Sequence, residues 1–137
     1  MIRKCLFPAA GYGMCFLRLL PFVVVAGIIL FTGLKPEPVP QMFDQQDKLH
    51  HLLGFAAFAL ALHLAFPRLL TGWALLLSLS LALGIELAQG LQPYRHASVG
   101  DMAANTLGVM LGWACWLRLR IGLLRHYPAL LGLPPRS

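Results

Sequence analysis

Residues 69–91 read LLTGWALLLSLSLALGIELAQGL, and Glu86 is the only charged side chain in the run. About 20 consecutive apolar residues in a helix cross the roughly 30 Å hydrocarbon layer of a bilayer. A carboxyl inside such a run costs a few kcal/mol unless it faces a partner or a wet cavity. This stretch therefore predicts a transmembrane helix with something polar beside it.

The rest of the chain agrees with that reading. Of its 137 residues 58% are hydrophobic and 12% charged, with a mean hydropathy of +0.72. Soluble domains carry about 25% charged residues, so the composition belongs to an integral membrane protein, and the length allows one domain. The formal charge of +6 does not imply nucleic acid, because basic residues flanking apolar helices are what orientation in a bilayer requires.

Charge and proline punctuation divides the chain into an all-α bundle of four transmembrane helices, at about 19–34, 48–67, 69–91 and 101–120. Residues 1–18 read as a cytoplasmic segment, 19–124 as the transmembrane domain and 125–137 as a cytoplasmic tail. Pro21 falls in the opening turn of the first helix, where a missing N–H is tolerated, and Lys35, Pro36, Pro38 and Pro40 end that helix. Helices two and three are so close in sequence that they form an antiparallel hairpin. Arg3 and Lys4 precede Pro8, Gly11 and Gly13, which interrupt the apolar core a signal peptide needs. The expectation is a retained first helix.

One side of the bundle carries Arg3, Lys4, Arg18, Arg68, Arg118, Arg120, Arg125 and Arg136. The other has Lys35, Lys48 and Arg95 mixed with Glu37, Asp44, Asp47 and Asp101. By the positive-inside rule both termini are cytoplasmic, and the loops at 35–48 and 92–100 face outward. Cys5, Cys15 and Cys115 form no close pair and no C-x-x-C motif, so neither a disulfide framework nor a zinc site is indicated.

With this topology the polar residues gather at the outer end. Asp47, His50 and His51 share a face of helix two by their i, i+3 and i+4 spacing, and Glu86 and Gln89 share one on helix three. Asp101, Asn105, Gly108 and Gly112 form a stripe on helix four, where a G-x-x-x-G lets another backbone approach. The loop between helices three and four adds Tyr94, Arg95, His96 and Ser98. Each has a plainer reading: Asp47 and Asp101 as helix caps, Gln89 and Asn105 as interhelical glue, His63 as a snorkelling side chain. Trp73, Trp113, Trp116 and Tyr127 suit an inner aromatic belt. The plain readings do not explain why so many polar groups share one end.

These residues also form a pattern. Asp47-Lys48-x-His50 leading to Phe55, then Glu86-x-x-Gln89-x-x-x-Pro93-x-Arg95-x-x-Ser98-x-x-Asp101-x-x-x-Asn105-x-x-Gly108, resembles the VanZ-like family of small bacterial membrane proteins over about residues 44–112. The resemblance implies a location in the bacterial plasma membrane and a link to resistance against teicoplanin-type glycopeptide antibiotics. Some members have been labelled phosphotransbutyrylases, a soluble-enzyme activity that a four-helix membrane protein with no coenzyme A motif does not support.

The expected function is an outward-facing pocket that binds, and in one version chemically modifies, an anionic lipid-linked component of the cell envelope. Glu86 and His50, or His51 in its place, would be the acid–base pair. Asp47, Lys48, Gln89, Arg95, Ser98, Asp101 and Asn105 would hold the substrate, with Arg95 and Lys48 on phosphate. No cofactor is expected. A divalent metal on Asp47, His50, His51, Glu86 or Asp101 is set aside, because Lys48 beside them favours an anion. Membrane lipids are the expected partners, with homo-oligomers left open. The competing readings are a structural or partner-binding membrane protein, and a proton-coupled transporter subunit.

Overall fold

The computed structural model describes residues 12–35, 40, 42–93 and 97–126, without the side chains of 12–15 and 123–126. The described residues form four helices and no strand: α1 Tyr12–Leu34, α2 Gln46–Ala65, α3 Thr71–Gly90 and α4 Val99–His126. Three are long and apolar enough to cross a membrane, over Phe16–Leu34, Gln46–Ala65 and Thr71–Gly90, with mean hydropathies of 2.2, 1.3 and 1.6. A helix of 20 residues spans about 30 Å. The fourth has the length but is diluted by Asp101, Asn105, Thr106, four glycines, two tryptophans, Arg118, Arg120 and Arg125.

The first helix begins at Tyr12 rather than near residue 19, which places Pro21 in its interior. The helix continues through it although proline has no N–H to give the carbonyl of Leu17. Helix α4 likewise runs on to His126 instead of stopping near residue 120. Each extension contains an arginine, Arg18 in the first and Arg125 in the second.

Helix α2 is the centre of the bundle. It packs most extensively on α4, and also on α1 and α3, while α1 and α4 do not touch among the described residues. Glycine makes the α2–α4 contact close. A Cβ on Gly108 would sit 2.3 Å from the Leu52 carbonyl oxygen, and one on Gly112 would sit 2.3 Å from that of Ala56. Both distances are far inside van der Waals contact, so the two backbones touch where side chains would otherwise hold them apart.

The apolar core is built from Ile29, Phe55, Phe58, Ala59, Leu62, Ala74, Ala82, Ile85 and Val109. Phe22 stacks at 5.6 Å on Phe58 and edge-on at 5.8 Å on Phe66, fixing α1 against α2. The outer surface is also apolar, with Phe16, Leu17, Val23, Ile28, Phe31, Leu76, Leu87, Leu107 and Met110 exposed. So large an exposed apolar surface suits a lipid environment, since soluble monomers rarely carry one.

Candidate functional site

The polar residues of four elements meet at one end of this bundle. Gln89 Nε2 donates to the Gly33 carbonyl at 3.0 Å, and Gln92 Nε2 donates to that of Leu34 at 3.0 Å. Together they tie the end of α3 to the end of α1. His51 Nδ1 and Asn105 Oδ1 lie 3.0 Å apart, joining the start of α2 to the start of α4. The helices therefore alternate in direction, as the short connections require.

Glu86 is 4% exposed, and its partner is backbone. Its Oε1 accepts the N–H of Ser98, the residue that precedes α4. Ser98 in turn caps the helix: its Oγ lies 3.4 Å from the Asp101 N–H, and its carbonyl accepts the N–H groups of Asp101 and Met102. In an ordinary capping box a Glu three residues into the helix satisfies the cap residue's N–H. Here that position holds Asp101, and Glu86 performs the task from another helix. The expectation that Asp101 is the cap is thus corrected: Ser98 is, because its hydroxyl is the side chain in reach of the free N–H groups.

A second cluster lies between α2 and α4. Asp101 is 6% exposed, and Lys48 Nζ stands 3.9 Å from its Oδ1. His51 Nε2 lies 3.8 Å from Asp47 Oδ1, one helical turn earlier. Asn105 is fully buried. Gly100 completes the arrangement, since a Cβ there would press to 2.8 Å from Lys48 Cε.

His50 and His51 part company. His51 turns into the α2–α4 contact, whereas His50 is exposed with Gln46 Nε2 3.5 Å from its ring. Consecutive helical positions point about 100° apart, so one of the pair had to face outward. Both nevertheless border a cleft of about 400 Å³ between α1, α2 and α3. Its polar rim is Asp47, His50, His51 and Gln89, and its apolar wall is Ile28, Ile29, Leu53, Phe55 and Ile85. Glu86 is not among the lining residues. The expected single pocket is thus two adjoining features, a cleft and a buried network, that share Asp47 and His51. Arg95, Tyr94 and His96 lie outside the described residues.

Sequence reasoning missed the cleft, because one side of its wall, Ile28 and Ile29, comes from α1, a helix with no motif. It also misplaced two groups at the opposite end. His63 does not snorkel: it is 2% exposed, its Nδ1 donates to the Ala59 carbonyl at 2.9 Å, and its ring lies 5.7 Å from that of Trp116. Trp116, also 2% exposed, is a core residue and not part of an interfacial belt. The carbonyl of Ala59, one turn earlier, satisfies Nδ1 locally, while Nε2 is buried without a hydrogen-bond partner among the described residues.

The fold and its polar end define a small helical protein of membrane character with one elaborated end. The VanZ/LLP1 family model matches residues 7–121, most of the chain, and the protein belongs to that family. No curated protein and no solved structure matches it.

Proposed function

We propose that this VanZ-like protein crosses the bacterial plasma membrane four times, with both termini in the cytoplasm, and binds an anionic amphiphile of the cell envelope at its outward-facing end. The observation that carries the reading is the cleft between α1, α2 and α3, apolar along Ile28, Ile29, Leu53, Phe55 and Ile85 and polar at Asp47, His50, His51 and Gln89. Small-molecule sites combine such an apolar wall with a few placed polar groups. A lipid chain lies along the wall, and its headgroup meets the rim. Lys48, whose side chain is 44% exposed, supplies charge for a phosphate, and Arg95, which lies between α3 and α4 in the sequence, is the second cation of this reading.

Glu86 serves this reading as a positioning residue. Its Oε1 holds the Ser98 N–H, which sets the start of α4 and with it Asp101 and Asn105. Binding therefore fits the arrangement better than acid–base catalysis by Glu86. The family name links the protein to glycopeptide resistance, and sequestering or shielding a lipid-linked envelope component is a route to that phenotype which needs no chemistry.

Glu86→Gln keeps an acceptor for the Ser98 N–H, whereas Glu86→Leu does not. In a teicoplanin-susceptibility assay the Gln variant is expected to match wild type and the Leu variant to fail. Loss of function in the folded Gln variant would return proton chemistry to Glu86. Separately, a native mass spectrum of wild-type protein in mild detergent should retain bound phospholipid or polyprenyl phosphate, and Leu53→Trp, which fills the cleft, should lose it. Equal lipid retention by both proteins would remove the cleft from the binding reading.

A further inference from the structure

Asp47, His51 and Asp101 each bring a donor atom to one place, the three atoms lying within 4.8 Å of one another. Asn105 offers its Oδ1 to His51 Nδ1 at 3.0 Å, so that nitrogen carries the hydrogen and the lone pair of the neutral ring is on Nε2. That lone pair looks toward a carboxylate oxygen, Asp47 Oδ1, at 3.8 Å. In that tautomer two electron-rich atoms face each other. The third group is the carboxylate of Asp101, which is 6% exposed and whose buried Oδ1 accepts no hydrogen bond among the described residues.

We propose that Asp47, His51 and Asp101 form a site for a divalent cation of the manganese or zinc type. One imidazole and two carboxylates is a ligand set both metals accept. Tetrahedral ligands at about 2.1 Å from a metal stand about 3.4 Å apart, so the cluster closes on a cation by small side-chain rotations. Asn105 is the outer partner that fixes the ring's tautomer, as a hydrogen-bonded acceptor does behind most histidine ligands. Lys48 Nζ, 3.9 Å from Asp101 Oδ1, balances the carboxylates in the cation's place and swings away on its half-exposed stem when the cation enters.

The lysine beside the carboxylates thus competes with the cation without excluding it. Asp47 and His51 also line the cleft, so a cation held here sits at its polar rim with coordination positions open toward it. A phosphate headgroup is the ligand such positions take. The cation site stands on the geometry of its three donors alone; only its use as a phosphate anchor rests on the amphiphile reading.

The test uses the full chain in detergent, stripped with chelator and titrated with Mn2+ while the signal of free Mn2+ is followed by electron paramagnetic resonance. Manganese avoids the thiol of exposed Cys115. Wild type is expected to bind one Mn2+ per chain, with the hyperfine coupling of a single imidazole nitrogen. His51→Gln should abolish the coupling, and Asp101→Asn should weaken binding at least tenfold. Asn105→Ala should weaken it about tenfold through the ring's orientation. Asp44→Asn, at an exposed acid outside the cluster, should change nothing, and Lys48→Gln should tighten binding. Absence of saturable Mn2+ binding overturns the proposal, as does nitrogen coupling that persists in His51→Gln or unchanged affinity in a folded Asp101→Asn. A lipid-retention assay with and without Mn2+ separates the two readings: cation binding with unchanged lipid retention leaves the site standing and removes only the phosphate role.

Discussion

Two histidines on α2 occupy opposite ends of the bundle, and their surroundings differ in kind. His63 is sealed against Trp116 and bonded to a carbonyl of its own helix, Ala59. His51 is bonded across to Asn105 on α4, with Asp47 beside it and a cleft at its edge. One histidine is held by its own helix and a neighbouring ring. The other depends on groups that only the fold brings near, which is the difference between a packing residue and a site residue.

Both ends hang on the α2–α4 contact, so the largest effect is expected there. Gly108→Leu would drive a side chain into the Leu52 carbonyl, where a Cβ alone comes to 2.3 Å. Overpacking against a backbone costs about 3 kcal/mol or more. Thermal unfolding in detergent should show that loss, and cysteine-accessibility probes at His51 and His63 should report both ends opening together. Retained stability would mean the two ends are supported separately.

Asn105→Leu acts on one end only. It leaves part-buried His51 without its partner on α4, at a cost of about 1 kcal/mol or more. Adding His51→Leu to it should cost less than the two single losses summed, because the pair disappears together. Additive losses in that double-mutant cycle would show that the 3.0 Å contact carries no coupling.

The turn that feeds the site offers an opposite sign. Gln45, just before α2, has φ 67°, a left-handed conformation that costs a non-glycine residue about 1–2 kcal/mol. Gln45→Gly should therefore raise stability by up to about 1 kcal/mol, with no change at the His63 end. A drop would show that the Gln45 side chain holds the turn.

At that far end, His63→Phe keeps the ring against Trp116 and removes a buried nitrogen, Nε2, that has no hydrogen-bond partner among the described residues. The loss of one local hydrogen bond should cost within about 1 kcal/mol, the smallest effect of the series. A cost as large as that of Asn105→Leu would erase the contrast between the two histidines.

Much of this was legible from residue type and spacing. Glu86 stood out because it is the one charge in an apolar run, and the Gly108-x-x-x-Gly112 stripe announced a close backbone. The partner of Glu86 was not legible, since a backbone N–H belongs to every residue but proline and leaves no mark in the sequence. Neither was the choice between His50 and His51: adjacent positions at one helix start are chemically alike, and packing against α4 separates them. His63 and Trp116 read as interfacial because each has a polar tip near a basic helix end, a pattern that burial between two helices overrides.

By itself the sequence determined an all-helical chain with the lengths and apolarity to lie in a bilayer, because hydropathy and charge spacing are properties of single segments. It also determined that the polar groups collect at one end. The tertiary structure decided which of them touch. Contacts between Glu86 and Ser98, between His51 and Asn105, and among Asp47, His51 and Asp101 join residues far apart in the chain. Those between α2 and α4 rest on how closely two glycines on α4 let it approach α2, and that distance is set by the whole bundle.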